Sequence, residues 1–365
     1  MREPLFKKLI CPMCKSSNLI LDIRGQNNID IEDGRIACQE CHRIYPILQG
    51  IPYMFTDTLR QFIEKPMTHP VFDKDFIPEE IGSYEEYIVL ANVYYHDMTA
   101  NTYDKKHQTD TGIHYEGSGS RERIAEVVSH LSALTDSAFW LDVGVGTGNV
   151  LLEALKTFRN GVGVDVSTEM LRKARSNGLP VVFGDGMHLP FADNSASVVS
   201  AFSTLHHFAT PTRLLKEMAR VLQIGGYIYT DWDSNAAAIY DSSVLRIVRR
   251  FRKLFLTNLQ SDEKQSPVEH KNYRMNTVHQ LAEIHHPSTG GLAVSQLVDC
   301  LRQSGFKEIK IFYYDCSPKS LFRNSISFTT IWKMIIRMIL AGRLVWPRRD
   351  RLAPRFAILA QKDDR

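Results

Sequence analysis

The eight residues Leu141-Asp142-Val143-Gly144-Val145-Gly146-Thr147-Gly148 constrain the fold more than any other part of this 365-residue chain. They join an apolar run at 138–143 to a helical pattern at 149–158, so the glycines turn a buried strand into a helix N-terminus. Glycine in such a turn lets the backbone pass close to a ligand. Dinucleotide enzymes use similar loops, but two details separate the cases. The spacing here is G-x-G-x-G, followed by Asn149. Asp142 stands two positions before Gly144, where its charge repels a pyrophosphate and attracts a cation. S-adenosylmethionine suits that loop: it has no phosphate, and its sulfonium and ammonium are cations.

The same alternation continues on both sides. Strands are expected at 161–166, 179–183, 196–202, 227–231, 307–314 and 356–361, with helices at 121–134, 211–222 and 294–304. This is a doubly wound α/β arrangement. Asp165 ends the second strand, 23 residues after Asp142, where a carboxylate can accept both ribose hydroxyls. Val166 and Met170 follow it into the next helix. Asp185, with Gly186 and Met187, ends the third strand and is placed to take the adenine amino group. Ser203, His206 and His207 follow the fourth strand, beside the transferred methyl. The alternative is that Asp142, Asp165 and Asp185 merely cap helices and turns.

Residues 138–233 resemble the class I S-adenosylmethionine-dependent methyltransferases typified by the ubiquinone/menaquinone-biosynthesis (UbiE-like) enzymes. The likeness rests on Ser203-Thr204-Leu205-His206-His207-Phe208 and on 215–226, where Ile224 replaces the usual proline before Gly225-Gly226. It implies a Rossmann-like seven-stranded sheet with helices on both faces and the last strand antiparallel. It also makes 95–104 a cap over the cofactor, with Tyr103 near the methionine end, and Gly144, Gly146 and Gly148 part of the cofactor loop.

Near the N-terminus, Cys11-Pro12-Met13-Cys14 and Cys38-Gln39-Glu40-Cys41 give two C-x2-C pairs with 23 residues between them. Four thiolates so spaced make a closed, structural zinc site. His42 is a substitute ligand or a solvated neighbour. The segment, with Tyr45-Pro46-Ile47-Leu48-Gln49-Gly50-Ile51-Pro52, resembles the zinc-ribbon activators of tRNA and protein methyltransferases, here fused in cis. Clustered cysteines and the absence of a signal-peptide pattern point to the cytoplasm.

The expected divisions are a ribbon at 1–55, a linker and cofactor-capping segment at 56–118, and a methyltransferase domain at 119–365 with insertions at about 236–290 and 317–353. Net charge is only +3, yet residues 243–353 hold 19 Lys and Arg against 8 Asp and Glu. Such a surplus suits an anionic partner: lipid headgroups, a phosphorylated substrate or nucleic acid. Two segments, 244–256 and 326–346, pair apolar faces with basic ones. The first is amphipathic and the second too charged to span a membrane, so 326–351 reads as an interfacial helix or the lid of an apolar pocket.

The expected acceptor is therefore a hydrophobic or lipid-linked small molecule, with peripheral membrane contact through 326–351. An RNA base is the alternative, and a non-catalytic zinc-dependent interaction module is the third reading. His206 and His207 are the candidate bases if the acceptor must lose a proton. Tyr273, His270, His285 and His286 are further candidates for the acceptor pocket.

Overall fold

The computed structural model describes residues 1–27, 29–64, 72–73, 77–78, 81–110, 120–136, 138–237, 277–285, 290–314 and 355–363. Segments 244–256 and 326–351, and with them His270, Tyr273 and His286, lie outside the described residues, as do Gly117, Ser118 and Gly119.

A short helix, α1 (Glu3–Phe6), leads into a four-stranded antiparallel sheet: β1 (Leu19–Gln26), β2 (Ile31–Cys38), β3 (Ile44–Leu48) and β4 (Ile51–Pro52). Helices α2 (Asp57–Glu64), α3 (Tyr84–Asp110) and α4 (Ser120–Leu134) follow. The larger sheet then runs through β5 (Phe139–Val143), β6 (Asn160–Asp165), β7 (Val181–Phe183), β8 (Ala196–Phe202), β9 (Leu222–Ser234), β10 (Phe306–Tyr314) and β11 (Arg355–Lys362). Helices α5 (Asn149–Ala154), α6 (Thr168–Ser176), α7 (Pro211–Val221) and α8 (Val294–Gln303) accompany them.

The strand order is β10-β11-β9-β8-β5-β6-β7, with β11 antiparallel to both neighbours and β5 to β9 mutually parallel. Every residue of β5 and of β8 is buried, as expected of central parallel strands covered on both faces. This is the seven-stranded arrangement expected from the sequence.

Three local differences have physical causes. Strand β9 begins at Leu222 and runs to Ser234, because it pairs with β11 on one side and β8 on the other. Helix α5 stops at Ala154, and the chain to Phe158 closes in turn-like bonds such as Phe158 N–H to the Ala154 carbonyl (2.9 Å). Helix α3 has no clear apolar stripe in sequence, since Tyr87 through Asn92 are all buried in succession.

The N-terminal sheet docks on the edge of the larger one. Met54 N–H donates to the Phe183 carbonyl (2.8 Å), and a parallel bridge joins Tyr53 to Phe183. The two rings stack at 5.0 Å. Ile10 N–H donates to the Pro190 carbonyl (3.0 Å). The unpaired edge of β7 is thereby covered, where an open edge would invite pairing with another chain.

Candidate functional site

The strand order reverses between β5 and β8, and the crevice at their carboxyl ends is where open α/β sheets bind ligands. A cavity of about 1010 Å³, open mouth included, sits there. Its floor is the glycine loop after β5, and its roof is α3, through Glu85, Ile88, Val89, Asn92, His96 and Tyr103. The structure brings Tyr103, Asp142, Gly144, Gly146, Asp165, Val166, Met170, Asp185, Gly186, Met187 and Ser203 together around this one cavity.

Gly148 is the exception among the expected cofactor residues. It does not line the cavity; it caps α5 with φ +98°, and a Cβ there would fall 2.1 Å from Leu179 Cδ1. Its left-handed backbone and lack of a Cβ let the turn into α5 pack against Leu179. Gly144 does line the cavity, at φ +70°, and an added Cβ would meet Thr204 Oγ1 at 2.5 Å. Gly144→Ala is therefore expected to cost about 2–4 kcal/mol of stability, from left-handed backbone strain plus crowding against Thr204, whose Cγ2 stands nearly as close as its Oγ1. Calorimetric melting checks this, and an unchanged melting temperature would contradict it.

The acidic groups are held by specific donors. Trp140 Nε1–H donates to Ser200 Oγ (2.7 Å), and Ser200 O–H donates to Asp142 Oδ1 (2.6 Å). Burial pushes the Asp142 carboxyl up to about 7; the Ser200 bond opposes the shift and Asp165 adds to it. Asp165 accepts from Gly146 N–H and Ser167 N–H, both at 2.9 Å. Burial raises its carboxyl to about 6 against those bonds, and Asp97 adds to the rise. Asp185 accepts from Met187 N–H (3.0 Å) and pairs with His188 Nδ1 (2.8 Å). Ser203 holds φ +53° directly after β8, an uncommon conformation for a serine and one found at ligand sites.

The roof is clamped by Asp97, inside the cap segment 95–104 that the family resemblance implies, and by Asn92, which lies outside it. Asp97 of α3 accepts from Ser167 O–H (2.6 Å) and Glu169 N–H (3.0 Å), tying α3 to the start of α6. Asn92 Nδ2–H donates to the His207 carbonyl (3.1 Å).

The two histidines differ in placement. His207 lines the cavity, whereas His206 lies behind it, 5% exposed. His206 Nδ1 is 2.8 Å from Asp233 Oδ1, and its Nε2 is 3.4 Å from Glu283 Oε2. Burial opposes the charged ring, but Glu283 and Asp233 outweigh it and raise its pKa. His207 Nδ1 is 2.7 Å from the Ala282 carbonyl. Burial and the neighbouring His206 drive its pKa well below the ordinary value. His285 donates its backbone N–H to the His206 carbonyl (3.0 Å) and does not line the cavity.

In the N-terminal sheet the sulfurs of Cys11, Cys14, Cys38 and Cys41 lie within 4.8 Å of one another. Cys11 is 3.5 Å from Cys41, and Cys14 is 3.5 Å from Cys38. The Tyr45 hydroxyl sits 3.0 Å from Cys11 Sγ.

The seven-stranded sheet with one antiparallel strand thus carries an acidic crevice at its switch point. Residues 141–230 match the methyltransferase domain family, and residues 4–50 match the Trm112p-like protein family. An uncharacterized protein of Methanocaldococcus jannaschii is 35% identical over 150 residues, 40% of this chain and 52% of that one. Demethylmenaquinone methyltransferase of Corynebacterium kroppenstedtii is 38% identical over 86 residues, 24% of this chain and 38% of that one. The probable tRNA methyltransferase 9B of Bos taurus is 36% identical over 90 residues, 24% of this chain and 19% of that one. The chain thus spans about half, or less, of the length of these relatives.

Proposed function

We propose that this protein transfers the methyl group of S-adenosylmethionine to a hydrophobic or lipid-linked small molecule. The observation that carries the acceptor class is the cavity wall. Among the described residues it contains Glu85, Asp142, Asp165 and Asp185 but no lysine or arginine, while Ile88, Val89, Phe202, Phe208 and Ala209 supply apolar surface. Such a wall suits a cationic cofactor and an apolar acceptor, and among the described residues sets no lysine or arginine against a phosphate backbone.

In this reading Asp165 holds the ribose, Asp185 the adenine and Asp142 the positively charged methionine end. The glycine loop admits the cofactor, and Tyr103 closes over it. S-adenosylmethionine supplies an electrophilic methyl; the chain orients the acceptor against it and keeps water out. His207, neutral and with its Nδ1 tied to Ala282, is placed to hold the acceptor, with His206 supporting it from behind. The four cysteines hold a structural zinc ion. Zinc–sulfur bonds of about 2.3 Å place the sulfurs of a tetrahedron ~3.8 Å apart, close to the separations seen here.

RNA remains the second reading, on the basic surplus of 243–353 and the likeness to a tRNA enzyme. Label transfer from methyl-tritiated S-adenosylmethionine into fractionated cell extract separates the two, with Asp165→Ala as blank. Organic-soluble label supports the small-molecule reading, and nuclease-sensitive label overturns it. No labelled fraction and no cofactor binding would leave the non-catalytic module. No helix among the described residues is long and apolar enough to cross a membrane. Peripheral contact through 326–351, in the cytoplasm, predicts co-sedimentation with anionic vesicles that is lost when that segment is deleted.

Cofactor affinity is expected to depend on pH. Asp142 and Asp165 stand near 7 and 6, so at pH 6 the first is mostly protonated and the second about half. A bound cation favours their ionised forms, so binding releases protons there and strengthens as pH rises toward 7. Titration calorimetry in buffers of different ionisation enthalpy measures this release: about 1.4 protons at pH 6, falling toward none by pH 8. Proton uptake at pH 6 would contradict the assignment.

A further inference from the structure

We propose that His206, His207 and Glu283 form a second metal centre, taking a divalent transition ion on the acceptor side of the cavity. One ring nitrogen of each histidine and one carboxylate oxygen of Glu283 lie within 4.8 Å of one another. The His206 Nε2 to Glu283 Oε2 distance of 3.4 Å matches the edge of a tetrahedron built on metal–ligand bonds of about 2.1 Å.

The hydrogen bonds prepare both rings for this task. The Ala282 carbonyl, 2.7 Å from His207 Nδ1, can only accept, so that nitrogen carries the proton and Nε2 carries the lone pair. Asp233, 2.8 Å from His206 Nδ1, imposes the same tautomer on the second ring. Ligating histidines characteristically donate their other N–H to a carboxylate or carbonyl. The charge agrees as well. Asp233 is fully buried, and its Oδ2 has no hydrogen-bond partner among the described residues. With Glu283 it places two carboxylates around His206, with Arg355 the cation acting on them from β11.

The simpler arrangement, a doubly protonated His206 bridging the two carboxylates, accounts for His206 alone. It gives no part to His207, whose ring lies 4.2 Å from that of His206 and has its Nδ1 tied to Ala282.

Three protein ligands leave a coordination position open, and His207 also lines the cavity. Resting on the methyltransferase reading, that position takes an acceptor hydroxyl. The acceptor binds there as its alkoxide or phenolate, having given its proton to bulk solvent as it enters, and the oxygen's electron pair forms the O–C bond. The C–S bond breaks with its electron pair returning to sulfur.

The test is a metal count on the full chain, stripped with chelator and reloaded with Co²⁺. Two equivalents are expected: one with intense sulfur-to-metal charge transfer from the cysteines, and one with only weak visible bands. Glu283→Gln is expected to weaken the second at least tenfold, leaving the first intact. A single equivalent in the wild-type chain overturns the proposal, whatever the variant does. So does a second equivalent that the variant, melting like the wild type, holds equally well. The count is independent of methyl transfer: failure to bind S-adenosylmethionine would remove the proposed activity and leave the metal centre standing.

Discussion

Replacing Asp165 by alanine is expected to weaken S-adenosylmethionine binding ~100-fold or more. The carboxylate does two things at once. It accepts from Gly146 N–H in the loop after β5 and from Ser167 N–H at the start of α6. Removing it strands two backbone donors and lets the loop and the helix separate. Each bond to a charged acceptor contributes about 1.5 kcal/mol or more, so ~3 kcal/mol of preorganisation goes with the side chain, and ~100-fold is the corresponding affinity. The contact proposed with the ribose would be lost on top of this. Asp165→Asn separates the parts. It keeps one acceptor oxygen and the volume but removes the charge, and a loss of about tenfold is expected. If the alanine variant bound within threefold of the wild type, Asp165 would be only a cap of the loop, and the cofactor assignment at the end of β6 would fall.

How far the sequence showed this site depends on how local each part is. The loop 141–148 and the acids Asp142, Asp165 and Asp185 were visible because a strand, a turn and a helix are contiguous, and the acids mark strand ends. Gly148 was grouped with its neighbours by spacing alone; only the packing of α5 against Leu179 distinguishes it. The helical form of α3 hid for the opposite reason, although the family resemblance had marked 95–104 as a cap. Ile88, Val89, Leu90, Ala91 and Asn92 are all buried, since the helix is covered on several sides, so no 3.6-residue stripe survives in the sequence. Its clamp, Asp97, acts on residues 70 positions away along the chain. His206 and His207 look equivalent in sequence. Asp233 and Ala282, far along the chain, set one behind the cavity and the other in its wall. Pairing of the N-terminal sheet with the edge of β7 is likewise non-local, and no residue pattern in 1–55 announces it.

That pairing leads to the second large effect. Stripping metal from the four-cysteine site, or making Cys38→Ser, is expected to abolish ordered structure in residues 1–55. A structural zinc site contributes about 10–16 kcal/mol to small domains of this kind, more than a four-stranded sheet of short strands holds in reserve. Cys11 and Cys38 are almost fully buried, so the metal would tie the two cysteine pairs together inside the ribbon's core. The consequence should not stop at the ribbon. Phe183 would lose the stacked Tyr53 ring and the Phe55 edge contact, and its carbonyl would lose the Met54 N–H. The β7 edge then lies open, and Gly184, Asp185, Gly186 and Met187, which line the cavity, follow directly from that strand. Expected results are rapid proteolytic loss of the N-terminal segment, concentration-dependent aggregation through the bared edge, and cofactor affinity reduced by about tenfold. Limited proteolysis, light scattering and a cofactor titration read these separately. A stripped chain that kept its N-terminal segment protease-resistant would show that the ribbon folds on its apolar contacts alone. Loss of the ribbon with unchanged cofactor affinity would show instead that the β7 edge and the adenine side of the cavity are mechanically independent.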